Sequence, residues 1–362
     1  MSARKFARFA LLVGGLGLCG CASIGPGTVA RDRVDYVTAV AESWKEQTLL
    51  NIVRLRYADT PSFLEIASVI GSYGVQGQVT AGGAVSSNLT QTVPWSSAAL
   101  SANAAYIDRP TISYTPLTGS KFARNLLRPI PPLAVFELIQ AGYPADRILA
   151  MTTRALNGIY NQSSVGLRAR PADPEFYPLL QAIRRVQILG SVTIRLDERH
   201  PDEVGALILS ARKTSEVERD LRYILMTLRL QPGNDGAIDI GAGALPRSGH
   251  ELAILTRSMI EILQEVGSGI DVPKSDIEAG RATASPFRLA SPAGDERPLI
   301  SIRCGAARPD HAFVAVQYHG TWYWIDDGDY GSKGVFTFLM IFFSLAEAGN
   351  PAQAPVLTLP LN

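Results

Sequence analysis

Cysteine and histidine are scarce in this chain of 362 residues, which contains three cysteines and four histidines. Two of the cysteines, Cys19 and Cys21, lie one residue apart near the N-terminus, and the third is Cys304. Cys19 and Cys21 belong to the N-terminal signal and anchoring segment that we predict from residues 1–21, so only Cys304 remains, and one cysteine cannot form a cluster for zinc or for an iron–sulfur centre. No histidine has a second one four residues away, which is the spacing of a helical metal pair. The sequence therefore predicts no metal and no cofactor.

An excess of basic charge is also lacking, since 34 Lys and Arg residues face 33 Asp and Glu residues. Nucleic-acid-binding domains carry clustered basic charge and recognisable motifs, and neither is present here. The sequence thus predicts no nucleic-acid partner. A hydrophobic fraction of 46% with 19% charged residues is typical of an ordered globular protein.

The first 21 residues combine a basic start, a short apolar run and a small-residue box. Arg4, Lys5 and Arg8 precede the apolar stretch 9–18, which ends in Leu18-Cys19-Gly20-Cys21. A run of this length is in the range of a signal-peptide core and is too short for a helix that crosses a bilayer, which needs about 20 apolar residues. The pattern predicts a signal peptide over residues 1–20.

Leu18-Cys19-Gly20-Cys21 resembles the lipobox of bacterial lipoproteins. The resemblance implies cleavage between Gly20 and Cys21, a diacylglycerol on the Cys21 sulfur, and a fatty acid such as palmitate on the new amino terminus. Two or three acyl chains hold a protein firmly on a membrane, where one would not. Ala22 stands where an aspartate would imply retention in the inner membrane, so the resemblance implies the outer membrane, with the body in the periplasm. An ordinary secretory signal or anchor helix is the alternative.

Charge is absent from residues 66–107, which are 42 consecutive residues between Glu65 and Asp108. Small apolar and polar residues alternate there, and a period of two predicts β-strands. We expect a long uncharged β-hairpin with four candidate membrane- or partner-contacting residues: Tyr73, Val75, Trp95 and Tyr106. One interpretation is a soluble or partner-covered hairpin. The other is insertion into a membrane, which requires a ring of subunits because a single hairpin leaves its edges unpaired in lipid.

The remaining patterns mix helices and antiparallel strands and predict an α+β fold. We expect a flexible tether at 21–33, a helix plus the hairpin at 34–120, a mainly helical segment at 121–200, and an α+β segment at 201–362 packed against it. Ala145–Ile159 reads as one helix. Asp173-Pro174-Glu175 reads as a helix start, and Ser248 with Glu251 reads as a capping box for a helix reaching Val266.

Near the C-terminus, His311 and Asp326 flank a predicted hairpin in a pattern similar to the His–Asp part of transglutaminase-like cysteine enzymes. Cys304 completes a hypothetical triad in which an imidazole would activate the thiol. That family places its cysteine far upstream at a helix N-terminus, whereas Cys304 ends an apolar strand only seven residues before His311. We therefore predict that the protein is not an enzyme, with a degenerate cysteine enzyme as the alternative.

The run Asp326-Asp327-Gly328-Asp329 has alternating acids, as calcium loops do. However, its glycine comes too early and no glutamate closes the loop, so we expect a polar turn that caps the last helix. That helix, Gly334–Ala348, is apolar almost all round and should be buried.

The phrases TRSMIEIL, VGSGIDVP and HAFVAVQYHGTWYWIDDGDYGSK resemble an uncharacterised family of bacterial envelope proteins, over about residues 250–350. The resemblance implies no activity. The resemblance implies that the family's characteristic polar and aromatic residues correspond here to the following: Arg257, Trp322, Trp324, Asp326, Asp327, Ser332 and Lys333.

These observations predict a non-catalytic structural or interaction component of a cell-envelope assembly, lipid-anchored to the outer membrane. Its expected partners are the membrane, through the anchor, and an envelope protein or further copies of itself. The alternative is a subunit of an oligomeric outer-membrane pore or export channel that inserts the 66–107 hairpin.

Overall fold

A computed structural model describes most of the chain. The described residues are 24–70, 73–85, 96–108, 111–117, 120–164, 170–189, 192–195, 206–209, 215–233, 237–284 and 298–347. Gly20, Cys21 and Trp95 lie outside them, so the cleavage site, the lipid attachment and one hairpin aromatic stay predictions. None of the described helices is long and apolar enough to cross a membrane.

The first described element is helix α1 (Ile24–Arg56), which begins inside the segment predicted as a flexible tether. Pro26 is its third residue, and proline is tolerated in a first turn because the amide hydrogens there have no intrahelical partner. The helix ends at Arg56, before Pro61, as the sequence predicts. Val37 is 62% exposed, whereas Leu49 and Ile52 are fully buried, so the apolar contacts of this helix lie in its C-terminal half.

Four strands follow, and together they form what we call the ribbon: β1 (Leu64–Ile70), β2 (Tyr73–Val85), β3 (Ser96–Asp108) and β4 (Thr111–Pro116). β1 pairs with β4 and β2 pairs with β3, both antiparallel. This confirms the predicted long hairpin, whose β2–β3 ladder pairs 13 residues on each strand.

The body of the protein comprises residues 43–63 and 117–347 of the described chain. Its helices are α2 (Ser120–Leu127), α3 (Pro132–Gln140), α4 (Ala145–Thr152), α5 (Phe176–Ile188), α6 (Ser215–Thr227), α7 (Met259–Ser268), α8 (Lys274–Glu278) and α9 (Tyr330–Glu347). Its strands are β5 (Thr153–Leu156), β6 (Ile159–Tyr160), β7 (Val192–Arg195), β8 (Ala206–Leu209), β9 (Ala237–Ala242), β10 (Glu251–Thr256), β11 (Arg303–Gly305), β12 (Ala312–Tyr318) and β13 (Thr321–Asp326). Helices and largely antiparallel sheets make this the predicted α+β fold.

Two sheets organise the body. The larger has the order β6-β5-β10-β9-β8-β7, in which only β10 and β9 run parallel. The smaller has the order β11-β13-β12, and a tight turn at His319 and Gly320, both with positive φ, joins β12 to β13. Positive φ at both central residues is the type I′ geometry that the twist of a hairpin favours, and the β12–β13 pairing confirms the hairpin predicted between His311 and Asp326.

The predicted helix Ala145–Ile159 is wrong in its second half, because α4 ends at Thr152 and the chain continues as β5. The Asn161 side-chain amide donates to the carbonyls of Ala150 (2.8 Å) and Thr153 (2.9 Å). It satisfies acceptors that a continuing helix would have used. β5 is then held by β10 and β6, pairings that no local pattern reveals.

The predicted capping box at Ser248 and Glu251 is also wrong, because Glu251 begins the buried strand β10. The helix starts later, and its box is formed by Ser258 and Glu261 with the same spacing. ELAILT is apolar enough to suit a buried strand or a buried helix, and periodicity does not separate the two. Neighbours on both sides, β5 and β9, decide for the strand.

Asp173 does not cap a helix as predicted, since α5 starts at Phe176. Its carboxylate accepts a bond from the backbone amide of Tyr160 (2.7 Å) and pairs with Arg170 (2.7 Å). The predicted burial of the last helix is confirmed: Val335, Phe336, Leu339 and Phe343 of α9 are all at most 5% exposed.

Candidate functional site

At several positions of the β2–β3 ladder, the register pairs residues of like polarity. Gln78 lies opposite Asn103 and Thr80 opposite Ser101, while Val75 lies opposite Tyr106 and Val79 opposite Ala102. Because cross-strand partners share a face and successive residues alternate, these polar pairs lie on one face and these apolar pairs on the other, although Ala105 shares the polar face and Asp108 the apolar one. Of the predicted contact residues, Val75 and Tyr106 are cross-strand partners, whereas Tyr73 lies opposite Asp108.

Both ladders of the ribbon keep one register. In every pair from Ser68↔Ser113 to Ile70↔Thr111 and from Tyr73↔Asp108 to Val85↔Ser96, the two residue numbers add up to 181. This means that the register does not change between the two ladders. A register shift lies between Ile66 and Ser68. Thirteen residues at about 3.3 Å each make the β2–β3 ladder roughly 40 Å long.

The ribbon strands β1 and β4 expose their apolar side chains. Leu64, Ile70, Ile112 and Tyr114 are 41–56% exposed, and all six residues of β4 are exposed. In the described part of the chain, β2 and β3 form a sheet of two strands, so each keeps one edge without a strand partner. Unpaired edges beside exposed apolar groups are the features that recruit further strands or lipid.

The structure does not assemble the hypothetical triad. Cys304 on β11 lies opposite Tyr323, whereas His311 precedes Ala312, which lies opposite Asp326 on the other side of β13. Two strand spacings and about four residues along the strand separate the Cα atoms of Cys304 and His311 by about 15 Å. That distance prevents the thiol–imidazole hydrogen bond such a triad needs. The Asp326 carboxylate instead bonds Arg303 (3.1 Å) and the amide of Gly328 (2.9 Å).

The acidic run after β13 forms the polar turn that the sequence predicts. The Asp329 carboxylate accepts bonds from the backbone amide (3.0 Å) and hydroxyl (2.6 Å) of Ser332, which lower its pKa. Asp327 pairs with the Lys333 ammonium at 2.6 Å, which lowers the pKa of this carboxyl too. In the described chain no group of three or more metal-ligating side chains gathers here or elsewhere.

A hydrogen-bonded tyrosine cluster, which the sequence did not indicate, joins α1, α8 and β13. The Tyr57 hydroxyl donates to the Asp276 carboxylate (2.5 Å) and meets the Tyr323 hydroxyl (2.6 Å). Burial and this carboxylate raise the pKa of Tyr57, while the bonds from Tyr57 and Arg281 lower the pKa of Asp276. Tyr57 and Tyr323 are 266 positions apart in the chain, so no spacing pattern relates them.

Nearby on β12, the Tyr318 hydroxyl donates to the Asp59 carboxylate. Burial and this bond raise the pKa of Tyr318 to about 12. The tyrosine cluster and this pair tie α1, α8 and the small sheet together. Each of these polar groups has a protein partner, as a structural network requires.

Arg257, one of the residues implied by the family resemblance, is a buried structural residue. Its guanidinium donates to the carbonyls of Ala150 (3.0 Å) and Met151 (3.1 Å), and to that of Gln162. The Glu265 carboxylate lies 3.9 Å away, and both side chains are at most 3% exposed. Burial lowers the pKa of Arg257, an effect that Glu265 opposes.

Trp322, Trp324 and Ser332, which also belong to the residues implied by the family resemblance, make contacts within the small sheet and the turn that follows it. Arg308 stacks over Trp322, and the ring of Trp324 closes over Gly305, where an added Cβ would come within 3.2 Å of it. The hydroxyl of Ser332 accepts a bond from the amide of Ser301 (2.9 Å).

Comparisons with protein-family models, with curated proteins and with solved structures return no match to this chain.

Proposed function

We propose that this protein is a lipoprotein anchored to the outer membrane through Cys21, and that it acts as a non-catalytic component of a cell-envelope assembly. The ribbon is its assembly element. The observation that carries the proposal is that the ribbon exposes apolar residues of β1 and β4 and leaves one edge of each described strand unpaired, while residues 66–107 carry no ionised side chain.

Physical chemistry explains why this ribbon needs a partner. An isolated two-stranded sheet is marginally stable in water, and three or more strands or a packed face are normally required. Each of the ribbon's two described sheets has only two strands, and β1 and β4 expose apolar residues, while the charge-free stretch lacks the lysines that usually protect edge strands. Covering it with another envelope protein or another copy would bury the apolar face and pair the edges.

A second candidate function is a subunit of an oligomeric outer-membrane pore. The register favours it, because the pairs Gln78–Asn103 and Thr80–Ser101 lie on one face of the ladder and the pair Val79–Ala102 lies on the other. About 9–11 residues suffice for a tilted strand to span the hydrocarbon layer, and lumen-facing and lipid-facing residues alternate along such strands. The third alternative, a degenerate cysteine enzyme, loses support from the separation of Cys304 and His311.

Neighbouring substitutions on opposite faces test the assembly proposal. Val79→Arg places a charge on the apolar face, and Gln78→Arg places the same charge one residue away on the polar face. In full-length protein purified from membranes in detergent, we expect Val79→Arg to abolish the complex seen by light scattering and Gln78→Arg to preserve it. A complex that survives Val79→Arg with unchanged mass contradicts the proposal.

Ion selectivity separates the pore from the non-conducting assembly. In planar bilayers a pore should conduct, and Gln78→Glu should increase its preference for cations because the polar face would line the lumen. An assembled protein without conductance rules out the pore and leaves the assembly proposal standing.

The anchor is tested separately. Cys21→Ser should abolish incorporation of labelled palmitate and move the protein from the membrane fraction to the soluble fraction. Cys19→Ser is the matched control, and it should change neither result.

A further inference from the structure

An apolar cavity of about 290 Å³ lies in the body, between the large sheet and helices α3, α4, α5 and α6. Its walls include Phe136, Leu149, Ile183, Ile224, Ile238 and Leu252. Protein interiors contain few voids larger than a water molecule. A cavity of about 150 Å³ with similar walls stays dry and accepts benzene, so this one has room for roughly a dozen carbon atoms.

Among the described residues that line the cavity none is charged, and the lining amides are those of Gln140 and Gln187. The Gln187 amide nitrogen donates to the carbonyls of Ile139 (2.8 Å) and Tyr143 (2.7 Å). Its oxygen accepts from the amide of Ala145 (2.9 Å) and from Arg184 (2.6 Å). Gln187 therefore has no bonding capacity left to hold water, and the lining side chains other than Gln140 and Gln187 are apolar and suit a hydrocarbon.

A second, more open depression shares three of the cavity's residues: Leu221, Leu225 and Leu230. Arg222, Arg229 and Glu218 also line this depression. In the described residues neither Arg222 nor Arg229 has an ion-pair partner, and both side chains are exposed. Two cations against one carboxylate make the depression suitable for an anionic group, beside an apolar interior.

We propose that the cavity binds the hydrocarbon chain of a single-chain anionic amphiphile, with its headgroup at Arg222 and Arg229. A fatty acid and a lysophospholipid share this chemistry. The three shared leucines lie on α6 and the turn after it, between the apolar cavity and the open depression. A shift of their side chains would open a passage, so that one ligand could place its hydrocarbon chain in the cavity and its headgroup in the depression. This binding site is independent of the ribbon and of the assembly proposed above.

Binding of labelled dodecanoate and of lauroyl lysophosphatidylglycerol to the full-length protein in phosphatidylcholine nanodiscs tests the proposal, with empty nanodiscs as background. Ile183→Trp fills the cavity and should weaken binding at least tenfold. Ile188→Trp is the matched control on the same helix, because Ile188 is 66% exposed and does not line the cavity. Ile224→Phe fills the cavity from α6 and repeats the test should Ile183→Trp not fold.

The headgroup site is tested by the double variant Arg222→Gln/Arg229→Gln. It should weaken binding of both anionic probes about tenfold and leave uncharged dodecanol unaffected. Stronger binding of one probe identifies a carboxylate or a phosphate as the preferred group. No binding above background, or equal binding by Ile183→Trp and Ile188→Trp, overturns the cavity site. An equal response of dodecanoate and dodecanol to the double variant overturns the headgroup assignment.

Discussion

Strands of the ribbon and strands of the body differ in what surrounds them. In β10 of the large sheet, five of six residues are buried, and neighbours pair with both of its edges. In β4 of the ribbon all six residues are exposed, and within the described chain it pairs with β1 alone. β10 is thus stabilised inside its own chain, whereas β4 leaves its surface exposed, and our assembly proposal assigns that surface to a partner.

The body and the ribbon also differ in where they place charged side chains. The body buries charged groups and gives them partners, such as Arg257 with Glu265. The ribbon avoids ionised groups from 66 to 107 and relies on alternation of small apolar and polar residues. Removing a buried partner should therefore destabilise the body, while equivalent changes in the ribbon should affect assembly instead.

The largest contrast should come from two tyrosines. Tyr323 is fully buried and its hydroxyl meets that of Tyr57, whereas Tyr114 of the ribbon is 56% exposed. Tyr323→Ala should lower the free energy of unfolding by about 5 kcal/mol, from the cavity and the unpaired Tyr57 hydroxyl. Tyr114→Ala should change it by less than about 0.5 kcal/mol. Urea denaturation measures both, and equal losses would remove the distinction between the regions.

The next effect concerns arginines within the body. Arg257→Met leaves Glu265 buried without its ion partner and should cost about 3–5 kcal/mol. The matched control is Arg154→Met, because the Arg154 side chain is 49% exposed and its pair with Glu261 is at the surface. It should cost less than about 1 kcal/mol. Thermal unfolding of both variants measures the difference, and a cost for Arg257→Met as small as that of the control contradicts the structural role.

Acid should destabilise the body and leave the charge-free stretch 66–107 unaffected. Hydrogen bonds from Arg185 lower the pKa of Asp220, and those from Tyr57 and Arg281 lower the pKa of Asp276. A carboxyl whose pKa falls on folding stabilises the protein above its unfolded pKa of about 3.9, and this contribution is lost as the pH falls through the folded value. Unfolding free energy should thus decline from about pH 5 downward.

The control for this prediction is the double variant Asp220→Asn/Asp276→Asn, which should show a smaller decline between pH 7 and pH 3.5 in urea titrations. Residues 66–107 contain no acid, histidine, lysine or arginine, so the mass of the assembled complex should not change over the range in which the body stays folded. An equal decline in parent and variant would mean that other groups cause the acid sensitivity.

The smallest effect should follow removal of the β2–β3 ladder. Ile70 and Thr111 are ladder partners, so replacing residues 71–110 with Asn-Gly should close a two-residue turn between β1 and β4. The unfolding free energy of the body should change by less than about 0.5 kcal/mol, because its apolar core is built from residues 49–63 and 130–343. Assembly should be lost. A loss of body stability as large as that of Arg257→Met would show that the ribbon supports the body.

Sequence patterns predicted elements well where one local signal dominated. Alternation located the ribbon strands, and the His319-Gly320 turn located the β12–β13 hairpin. Patterns failed where two structures suit the same residues. Thr153–Leu156 continues a helical pattern but pairs with β10, and Ser248 matches a capping box that Ser258 forms instead.

The candidate sites likewise include some that the sequence indicates and some that only the structure shows. Absence of charge is enough to indicate the ribbon, because composition along a continuous stretch is a local property. The tyrosine cluster and the apolar cavity join residues that are far apart in sequence, and no spacing predicts them. Cys304, His311 and Asp326 show the converse, since Cys304 and His311 are close in sequence yet lie on opposite sides of β13.

The sequence alone determined the α+β class, the uncharged hairpin and the expectation of a lipid anchor at Cys21, because each depends on the order of neighbouring residues. Only the tertiary structure decided that β10 is a buried strand, that Arg257 and Glu265 form a buried pair, and that Cys304 lies far from His311. These outcomes depend on which distant segments pack together, and burial and hydrogen bonding between such segments decide among local structures of similar energy.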